Sequence, residues 1–369
     1  MTGKYVLYTA VLPRYRQSCI SLVCNDLSAD FQAYAGDRHL DPTVTTAIQE
    51  RFYQRVRNVP LFGGRILLQL GHWRDAMAAE TCIVDLNPRS LTAWTLLATR
   101  RVIGRRTLTW GHLHPQEGVA SRTAVLRRTM RRLSDGSVLY GYAHVAPARL
   151  EAPKKPVWVA PNALYQANVI EPRRATHVQD ILYIGRLEPR KKVHVLLEGF
   201  DQSGLAGHGC RLVVIGEGSE RARLETMANR LGLGAAVIIR PGTYEIDEIA
   251  DAYGSSFVSV SPGYVGLSLT QSLGFGVPMI ISRDEPHSPE LELERLGGTS
   301  FFETDNPVDL GASLRAAHSR RQDWPSFGNS ISKSVCALYS AEAMAAGLES
   351  AFGDIPQDLG EDGWPTPKA

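Results

Sequence analysis

The stretch ILYIGRLEPRKKVHVLLEGF, residues Ile181–Phe200, decides the fold class of this chain. It begins with an apolar run that predicts a buried strand, and it ends with apolar residues at i, i+3, i+4 and i+7, which predict an amphipathic helix. A turn rich in arginine and lysine lies between them. Because the N-terminus of a helix offers free N–H groups and the positive end of its dipole, such a turn is suited to bind a phosphate. The turn taken alone also fits an ordinary solvated loop.

The same strand-to-helix pattern recurs through the C-terminal half of the chain. Further apolar strands are predicted at residues 212–215, 237–239, 257–260 and 279–281. Strands that alternate with amphipathic helices are typical of βαβ units in a parallel sheet covered on both faces. Ligands of such sheets bind at the carboxyl ends of the strands, which is where the basic turn is expected to lie.

Length and composition fit two α/β domains. The chain has 369 residues, of which 44% are hydrophobic, enough for two cores. A net charge of +2 creates no overall field that favours nucleic acid, so none is expected as a partner. The five cysteines show no Cys-x-x-Cys spacing, which argues against a disulfide framework or a zinc site. With no signal peptide and no bilayer-length apolar run visible, we expect a cytoplasmic protein.

The N-terminal half is also α/β, with less regular strands. The strands are predicted near residues 5–8, 66–70, 82–86, 106–110, 138–140 and 157–159. The predicted organisation is an N-terminal Rossmann-like domain at 1–166, a hinge at 167–179 and a C-terminal Rossmann-like domain at 180–336. Residues 337–353 are predicted as a final helix, for which a crossing back to the first domain is one option. Residues 354–369 are rich in glycine, proline and acids and predict a flexible tail.

Two motifs stand at predicted strand ends in the C-terminal half. Gly185–Lys192 reads GRLEPRKK, and Gly263–Gln271 reads GYVGLSLTQ and is followed by Gly-Val-Pro at 276–278. Over about residues 180–290 they resemble the donor-binding domain of the GT-B glycosyltransferases, specifically retaining family four (glycosyl transferases group 1). That family has Gly-Arg-Leu, three residues and Lys-Gly, then a Glu-x7-Glu box. The resemblance implies two doubly wound Rossmann-like domains that face a central cleft.

Both glutamates of the family's box are replaced in this chain, by Gly263 and Gln271. In the family the second acid binds the nucleotide ribose, and the amide oxygen of Gln271 is still an acceptor, although a neutral bond is weaker. Since Gly263 has no side chain, we expect the donor sugar to be bound by backbone amides or by another group such as Glu290. A catalytically silent nucleotide-sugar-binding subunit remains an alternative, as does an epimerase-type enzyme on the same fold.

The resemblance implies that Arg186 and Lys191 are catalytic, because their charges would stabilise a leaving diphosphate. The other expected donor-binding residues are Gly185, Gly216, Tyr244, Gly263, Val265, Gly266, Leu267, Ser268, Gln271 and Glu290. No Asp-x-Asp cluster that would hold magnesium is visible in the sequence. We therefore expect a metal-independent reaction without a cofactor, and the resemblance implies retention at the anomeric carbon.

The acceptor is expected to bind to the N-terminal domain. His112 ends a strand where the family often carries a functional histidine, which would shuttle protons or donate a hydrogen bond near neutral pH. Arg14, Arg16 and His114 are expected to bind the acceptor, and Glu117 is a further candidate. Each of them also fits a role in packing or in a solvated loop.

A predicted helix at about residues 120–133 has arginines at 127, 128, 131 and 132 opposite an apolar face that includes Val125 and Leu126. It fits an ordinary solvated helix, or a surface that contacts anionic lipid headgroups at the inner face of the cell membrane. The sequence as a whole predicts a glycosyltransferase of the hexosyltransferase type. It would move a sugar from a nucleotide diphosphate sugar to a saccharide or lipid-linked saccharide, in cell-surface polysaccharide or glycoconjugate assembly.

Overall fold

The structure of the protein, a computed structural model, describes residues 4–41, 44–114 and 122–366. Its contacts divide the chain into two compact units: unit 1 is residues 1–166 with 339–369, and unit 2 is residues 167–338. Each unit is built on a parallel sheet, so the expected fold class, two Rossmann-like α/β sheets, is confirmed.

Unit 1 contains the strands β1 (Tyr5–Thr9), β2 (Phe31–Ala35), β3 (Gln54–Arg55), β4 (Arg57–Leu61), β5 (Ile66–Leu70), β6 (Thr81–Asp85), β7 (Arg106–Gly111), β8 (Gly136–Leu139) and β9 (Val157–Val159). Its first helices are α1 (Gln17–Leu27), α2 (Trp73–Ala78), α3 (Leu91–Val102), α4 (Arg122–Leu133) and α5 (Val145–Glu151).

Unit 2 contains the strands β10 (Asp180–Ile184), β11 (Arg211–Ile215), β12 (Val237–Arg240), β13 (Ser256–Ser261), β14 (Met279–Ser282) and β15 (Thr299–Phe302). Its helices are α6 (Val193–Ser203), α7 (Arg221–Arg230), α8 (Ile246–Gly254), α9 (Leu267–Gly274), α10 (Pro307–Ser319) and α11 (Trp324–Tyr339). A last helix, α12 (Ala341–Phe352), belongs to unit 1.

The sheet of unit 1 has the strand order β3-β2-β1-β6-β7-β8-β9, and all its pairs are parallel. Successive residues of a strand point to opposite faces, and both faces are buried here. Leu7 and Ile83 lie in one core cluster, whereas Val6 and Val84 lie in another. The strand predicted at 66–70 is not part of this sheet, since it pairs antiparallel with β4 in a separate hairpin.

The sheet of unit 2 has the order β12-β11-β10-β13-β14-β15, again entirely parallel. Counted from β10, this is the doubly wound order 3-2-1-4-5-6, in which the chain reverses direction between β10 and β13. A crevice forms outside the carboxyl ends of the strands at such a switch point. The segments that follow β10 and β13 are the two motifs that resemble the family.

The tail predicted from residue 354 is held against unit 1 as far as it is described. The indole Nε1 of Trp158 donates to the carbonyl oxygen of Ile355 at 2.8 Å, and the side chain of Gln357 accepts from the backbone N–H of Val159 at 2.7 Å. Trp364 stacks on Tyr142 with ring centroids 5.1 Å apart. The sequence predicts a flexible tail here, whereas in the structure residues 354–366 pack on unit 1 through hydrogen bonds and an aromatic contact.

The basic helix α4 presents only part of the expected arginine face, since Arg132 is exposed and Arg128 half-buried. Arg127 donates hydrogen bonds to two backbone carbonyls, and Arg131 is 3% exposed and pairs with Glu151 at 2.7 Å. Val125 and Leu126, expected on the buried side, are 61% and 45% exposed. The buried arginines are thus anchors within unit 1. Within the described ranges, no helix combines the length and the apolarity needed to cross a bilayer.

Arg100 of α3 is another internal anchor, with a side chain that is 0% exposed. Its guanidinium donates to the backbone carbonyls of Ala76, Met77, Ala79, Glu80 and Arg106 and to the hydroxyl of Thr107. Since these acceptors lie along α2, before β6 and at the start of β7, one side chain joins three elements to α3.

Replacing this anchor should destabilise unit 1 strongly. Arg100→Met should lower the free energy of unfolding by about 3 kcal/mol or more, because it leaves several buried carbonyl oxygens without a donor. Urea unfolding measures the loss. Arg105→Met, at an exposed arginine nearby, is the control and should change it by less than about 0.5 kcal/mol. Equal stability of the two variants would contradict the role of Arg100.

Candidate functional site

The basic turn, residues 185–192, connects β10 to α6 at the switch point of unit 2. It ends at Lys192, which stands where the family has its second glycine and adopts the left-handed conformation (φ 52°, ψ 32°) that glycine favours. The ammonium of Lys192 forms ion pairs with Glu285 at 2.7 Å and Asp305 at 2.8 Å. These contacts help to offset a backbone strain of about 1 kcal/mol and tie the turn to the segments after β14 and β15.

Two arginines of the basic turn share one carboxylate. Arg186 pairs with Glu188 at 2.9 Å, and Arg190 pairs with the other oxygen of Glu188 at 3.0 Å. The side chains of Arg186 and Arg190 are 49% and 53% exposed, so a ligand has access to both. The three side chains together carry one net positive charge.

Lys191 is the most enclosed cation of the turn. Its ammonium donates to the backbone carbonyl of Tyr264 at 2.8 Å and lies 4.6 Å from the centre of the Tyr264 ring. Burial, with repulsion from Arg190 and Arg186, lowers the pKa of Lys191 to about 8. Because Tyr264 belongs to the segment after β13, this contact shows that the two motifs meet. An anion bound beside Lys191 would favour its charged form and raise its pKa again.

The turn after β11 packs against the basic turn, backbone on backbone. A Cβ at Gly216 would lie 1.9 Å from the carbonyl oxygen of Gly185, and one at Gly218 would lie 2.2 Å from that of Leu187. The N–H of Leu187 donates to the backbone carbonyl oxygen of Glu217 at 2.8 Å. Gly216, predicted as a donor-binding residue, is thus needed for the close approach of the two turns, and Gly185, also predicted to bind the donor, contributes its carbonyl oxygen to that contact.

Gly263 occupies the position of the family's first glutamate for a steric reason. A Cβ there would lie 2.5 Å from the carbonyl oxygen of Arg190 and 3.1 Å from that of Lys191. The side-chain direction at this residue is therefore filled by the basic turn. Gly263 holds the two motifs together, and a side chain at this position has no path to a sugar without moving the turn.

The N–H of Val265 is already used inside the protein. It donates to Nδ1 of His287 at 3.1 Å, and Nε2 of His287 is 2.8 Å from the carbonyl oxygen of Ser282. These partners fix the neutral tautomer with its proton on Nε2, and burial lowers the pKa of His287. The donor-binding role expected of Val265 stays a prediction, and its N–H is occupied by His287 in this structure. The amides that remain at this point are those of Gly266, Leu267 and Ser268, at the first turn of α9.

Gln271 and Glu290 are both buried, at 8% and 2% exposure. The amide oxygen of Gln271 accepts from the hydroxyl of Tyr253 at 3.1 Å. An amide oxygen has a second lone pair, so the predicted ribose contact would add to this bond. Glu290 lies in a 3-10 helix, Pro289–Leu296, which follows the segment that carries His287.

Tyr244 follows β12, and its side chain is 71% exposed. The adjacent Gly242 lies beside the turn at Gly216, since a Cβ there would be 3.7 Å from the Cα of Gly216. Tyr244 therefore stands near the carboxyl-end side of the sheet, and its predicted stacking on a base stays a prediction.

In unit 1, the predicted acceptor residue Arg16 is 6% exposed and surrounded by aromatic rings. It lies in a 3-10 helix, Arg14–Arg16, rather than in a loop. Its guanidinium donates to the hydroxyl of Tyr140 at 2.6 Å and lies 4.3 Å from the ring centre of Trp110. Arg14 is exposed. Arg16 thus positions the ring of Tyr140, whereas Arg14 has access to a ligand.

His112 follows β7, half-buried, with its ring edge-on to Tyr140 at 4.8 Å. Burial lowers its pKa to about 3, with repulsion from Arg127, His144 and Arg16 adding to the effect. A pKa lowered in this way favours a neutral ring that forms a hydrogen bond over one that shuttles protons, and both roles of His112 stay predictions. Burial also lowers the pKa of His114, whose ring contacts His144 at 6.2 Å. The candidate Glu117 lies outside the described residues.

The sequence did not reveal three residues that organise these sites. Glu188 lies two residues from each arginine it binds, a spacing that offers a signal for pairing within a turn. Tyr264 and His287 act through a backbone carbonyl and a backbone N–H, for which the sequence offers no signal.

Two comparisons bear on this arrangement. Residues 170–321 match the family model described as glycosyl transferases group 1. Residues 170–321 thus form a glycosyl transferases group 1 domain. The expected enzyme class, a nucleotide-sugar glycosyltransferase, is confirmed at this level. No significant match to a curated protein sequence was found.

Solved structures place the glycosyltransferase in the GT-B fold. HepE of Anabaena in complex with UDP aligns with a TM-score of 0.69 at 12% identity, covering 95% of this chain and 100% of HepE. Sucrose-phosphate synthase of Thermosynechococcus elongatus aligns with a TM-score of 0.65 at 14% identity, covering 95% and 99%. The lipopolysaccharide outer core galactosyltransferase WaaB, in its apo form, also has a TM-score of 0.65 at 14% identity, covering 95% and 99%. At these identities the likeness shows the fold.

The close approach at Gly263 gives a test of the site. Gly263→Ala should weaken the binding of inorganic pyrophosphate about tenfold, because the new Cβ displaces Arg190 and Lys191 without removing a charge. Isothermal titration calorimetry measures the affinity. Gly242→Ala is the matched control, since its Cβ would meet only ordinary contacts at 3.7 Å. Unchanged affinity in Gly263→Ala would refute the contact between the motifs.

Proposed function

We propose that the protein transfers a sugar from a nucleotide diphosphate sugar to a saccharide or lipid-linked saccharide acceptor. The observation that carries the proposal is the meeting of two segments at the switch point of unit 2. The basic turn brings Arg186 and Lys191 to the end of β10, and the first turn of α9 follows β13. The hydrogen bond from Lys191 to Tyr264 joins the two segments.

The charges of these groups suit the departure of a diphosphate. When the bond between the sugar C1 and the phosphate oxygen breaks, the electron pair leaves with the diphosphate. Arg186, Lys191 and the N–H groups of α9 would stabilise that charge, and two charge-assisted bonds of about 1.5–3 kcal/mol each account for roughly 10²–10⁴ in rate. Because these cations supply positive charge, we also propose a reaction without a divalent ion. Retention is proposed from the family likeness.

A donor screen is the first experiment. HepE was solved with UDP, which supports testing UDP-sugars first, beside GDP- and ADP-sugars. A thermal-shift measurement reports binding, and an assay for donor hydrolysis and for transfer reports turnover. The NMR spectrum of the product gives its anomeric configuration, and EDTA tests the need for a metal. Binding without turnover would favour the silent nucleotide-sugar-binding subunit, and no shift with any nucleotide would refute both functions.

Substitution of the two cations tests their role. Arg186→Ala and Lys191→Ala should each lower turnover at least about tenfold, since each removes a charge-assisted bond to the leaving group. The melting temperature should stay nearly constant for Arg186→Ala because that side chain is 49% exposed. Arg223→Ala, at an exposed arginine of α7, is the charge-matched control. Full activity of either variant would remove that residue from the mechanism.

The lowered pKa of Lys191 predicts a pH dependence of donor binding. Below its pKa of about 8 the ammonium is charged and attracts the diphosphate, and above it the side chain is neutral. The dissociation constant of the nucleotide diphosphate should therefore increase as pH rises through about 8. Calorimetry from about pH 7 to about pH 9 measures the step. Lys191→Arg should remove it, because a guanidinium stays charged across this range; the same step in that variant would assign it to another group.

A further inference from the structure

A cavity of about 820 Å³ lies in unit 1, among residues that the sequence had not marked as functional. It is lined by Asp37, Arg38, His39, Leu40, Arg55, Val56, Arg57, Asn58, Pro60, Leu67 and Leu70. One wall is the segment that follows β2, and the other is formed by β3 and the β4–β5 hairpin. The hairpin stands outside the main sheet and supplies five of the eleven lining residues.

Hydrogen bonds place this cavity at the carboxyl ends of the unit 1 strands. The amide nitrogen of Asn58 donates at 2.8 Å to the carbonyl oxygen of Ala10, which follows β1, and at 2.8 Å to that of Arg38, which follows β2. The ring of His39 lies 3.5 Å from the side chain of Asn87, which follows β6. The strands β1 and β6 are adjacent and form the switch point of this sheet, where ligands of parallel sheets bind.

The lining carries a surplus of positive charge. Arg55 pairs with Asp37 at 3.1 Å and with Glu50 at 3.0 Å, so the acid among the lining residues is neutralised. Arg38 and Arg57 form no ion pair with any residue the structure describes, and both are exposed. Two arginines of the lining are therefore without a counter-ion from the described chain.

The base of the cavity, in contrast, is apolar. Val56 and Leu67 are 2% and 1% exposed, and Leu40, Pro60 and Leu70 add further apolar surface. A pyranose ring presents C–H groups on its faces, which pack on apolar side chains, whereas its acidic substituent needs cationic donors. Planar guanidinium groups bind carboxylate and phosphate through two parallel hydrogen bonds.

We propose that this cavity binds an anionic saccharide, with Arg38 and Arg57 on its carboxylate or phosphate group and the apolar base against its ring. The inference deepens the proposed function and rests on it in one respect, because the bound saccharide would be the acceptor. An acidic sugar at the end of the growing glycan would then be the group that this glycosyltransferase recognises.

Binding of three simple glycosides to the full chain tests the proposal. Methyl β-D-glucuronide carries a carboxylate, methyl β-D-glucoside 6-phosphate carries a phosphate, and methyl β-D-glucoside is neutral. At least one acidic glycoside should bind about tenfold more tightly than the neutral one by calorimetry, and the tighter of the two identifies the acidic group. The preference should decrease as salt is added.

Variants locate the binding. The double variant Arg38→Gln/Arg57→Gln should abolish the preference for the acidic glycosides, and Arg65→Gln, at an exposed arginine of the same hairpin outside the lining, should keep it. Equal affinity for all three glycosides overturns the proposal. So does an undiminished preference in the double variant, or no binding of either acidic glycoside up to its solubility limit.

Nucleotide binding is measured on the same samples, so that the two proposals fail separately. The double variant should keep the wild-type affinity for UDP or whichever nucleotide the donor screen selects, since the altered residues lie in unit 1 and the basic turn lies in unit 2. Glycoside binding without any nucleotide binding would count against the proposed transferase and leave the cavity intact as a saccharide site. Nucleotide binding without a preference for the acidic glycosides would count against the saccharide site and leave the proposed transferase intact.

Discussion

The candidate site of unit 2 depends on three backbone contacts that admit no side chain. Cβ atoms at Gly216, Gly218 and Gly263 would lie within 2.5 Å of carbonyl oxygens of the basic turn. These contacts clamp the turn between the segments after β11 and β13, so its cations are presented from a rigid backbone. Preorganised charge stabilises a leaving group without the cost of reorganising it. The absence of the family's first glutamate follows from the same constraint, because the space at Gly263 belongs to the basic turn.

Electrostatics in the two units follow different designs. In unit 2, Glu188 balances part of the arginine charge, Lys192 is neutralised by two acids, and Lys191 is left with a lowered pKa beside a carbonyl oxygen. An anion entering this site would gain most from Lys191. In unit 1, His112 is kept neutral by burial and by nearby positive charge, which suits a hydrogen bond to a neutral hydroxyl group.

The arginines of unit 1 have three different roles, which the amino-acid composition alone does not distinguish. Arg100 and Arg131 are buried anchors that satisfy backbone carbonyls or a carboxylate. Arg16 is enclosed by aromatic rings and orients Tyr140. Arg38 and Arg57 line a cavity that the β4–β5 hairpin completes. On α4, which fits a solvated helix or a lipid-contacting surface by sequence, Arg127 and Arg131 bond to groups within unit 1.

The sequence by itself determined the α/β class, the parallel sheet of unit 2 and the place of Arg186 and Lys191 at a strand end, because apolar periodicity and strand-to-helix turns are local properties of the chain. Only the tertiary structure decided which groups stay available to a ligand. The N–H of Val265 is taken by His287, the space at Gly263 is filled by Arg190, and the hairpin that walls the unit 1 cavity leaves the main sheet. These outcomes depend on contacts between segments far apart in the chain, and no local pattern of residues encodes them.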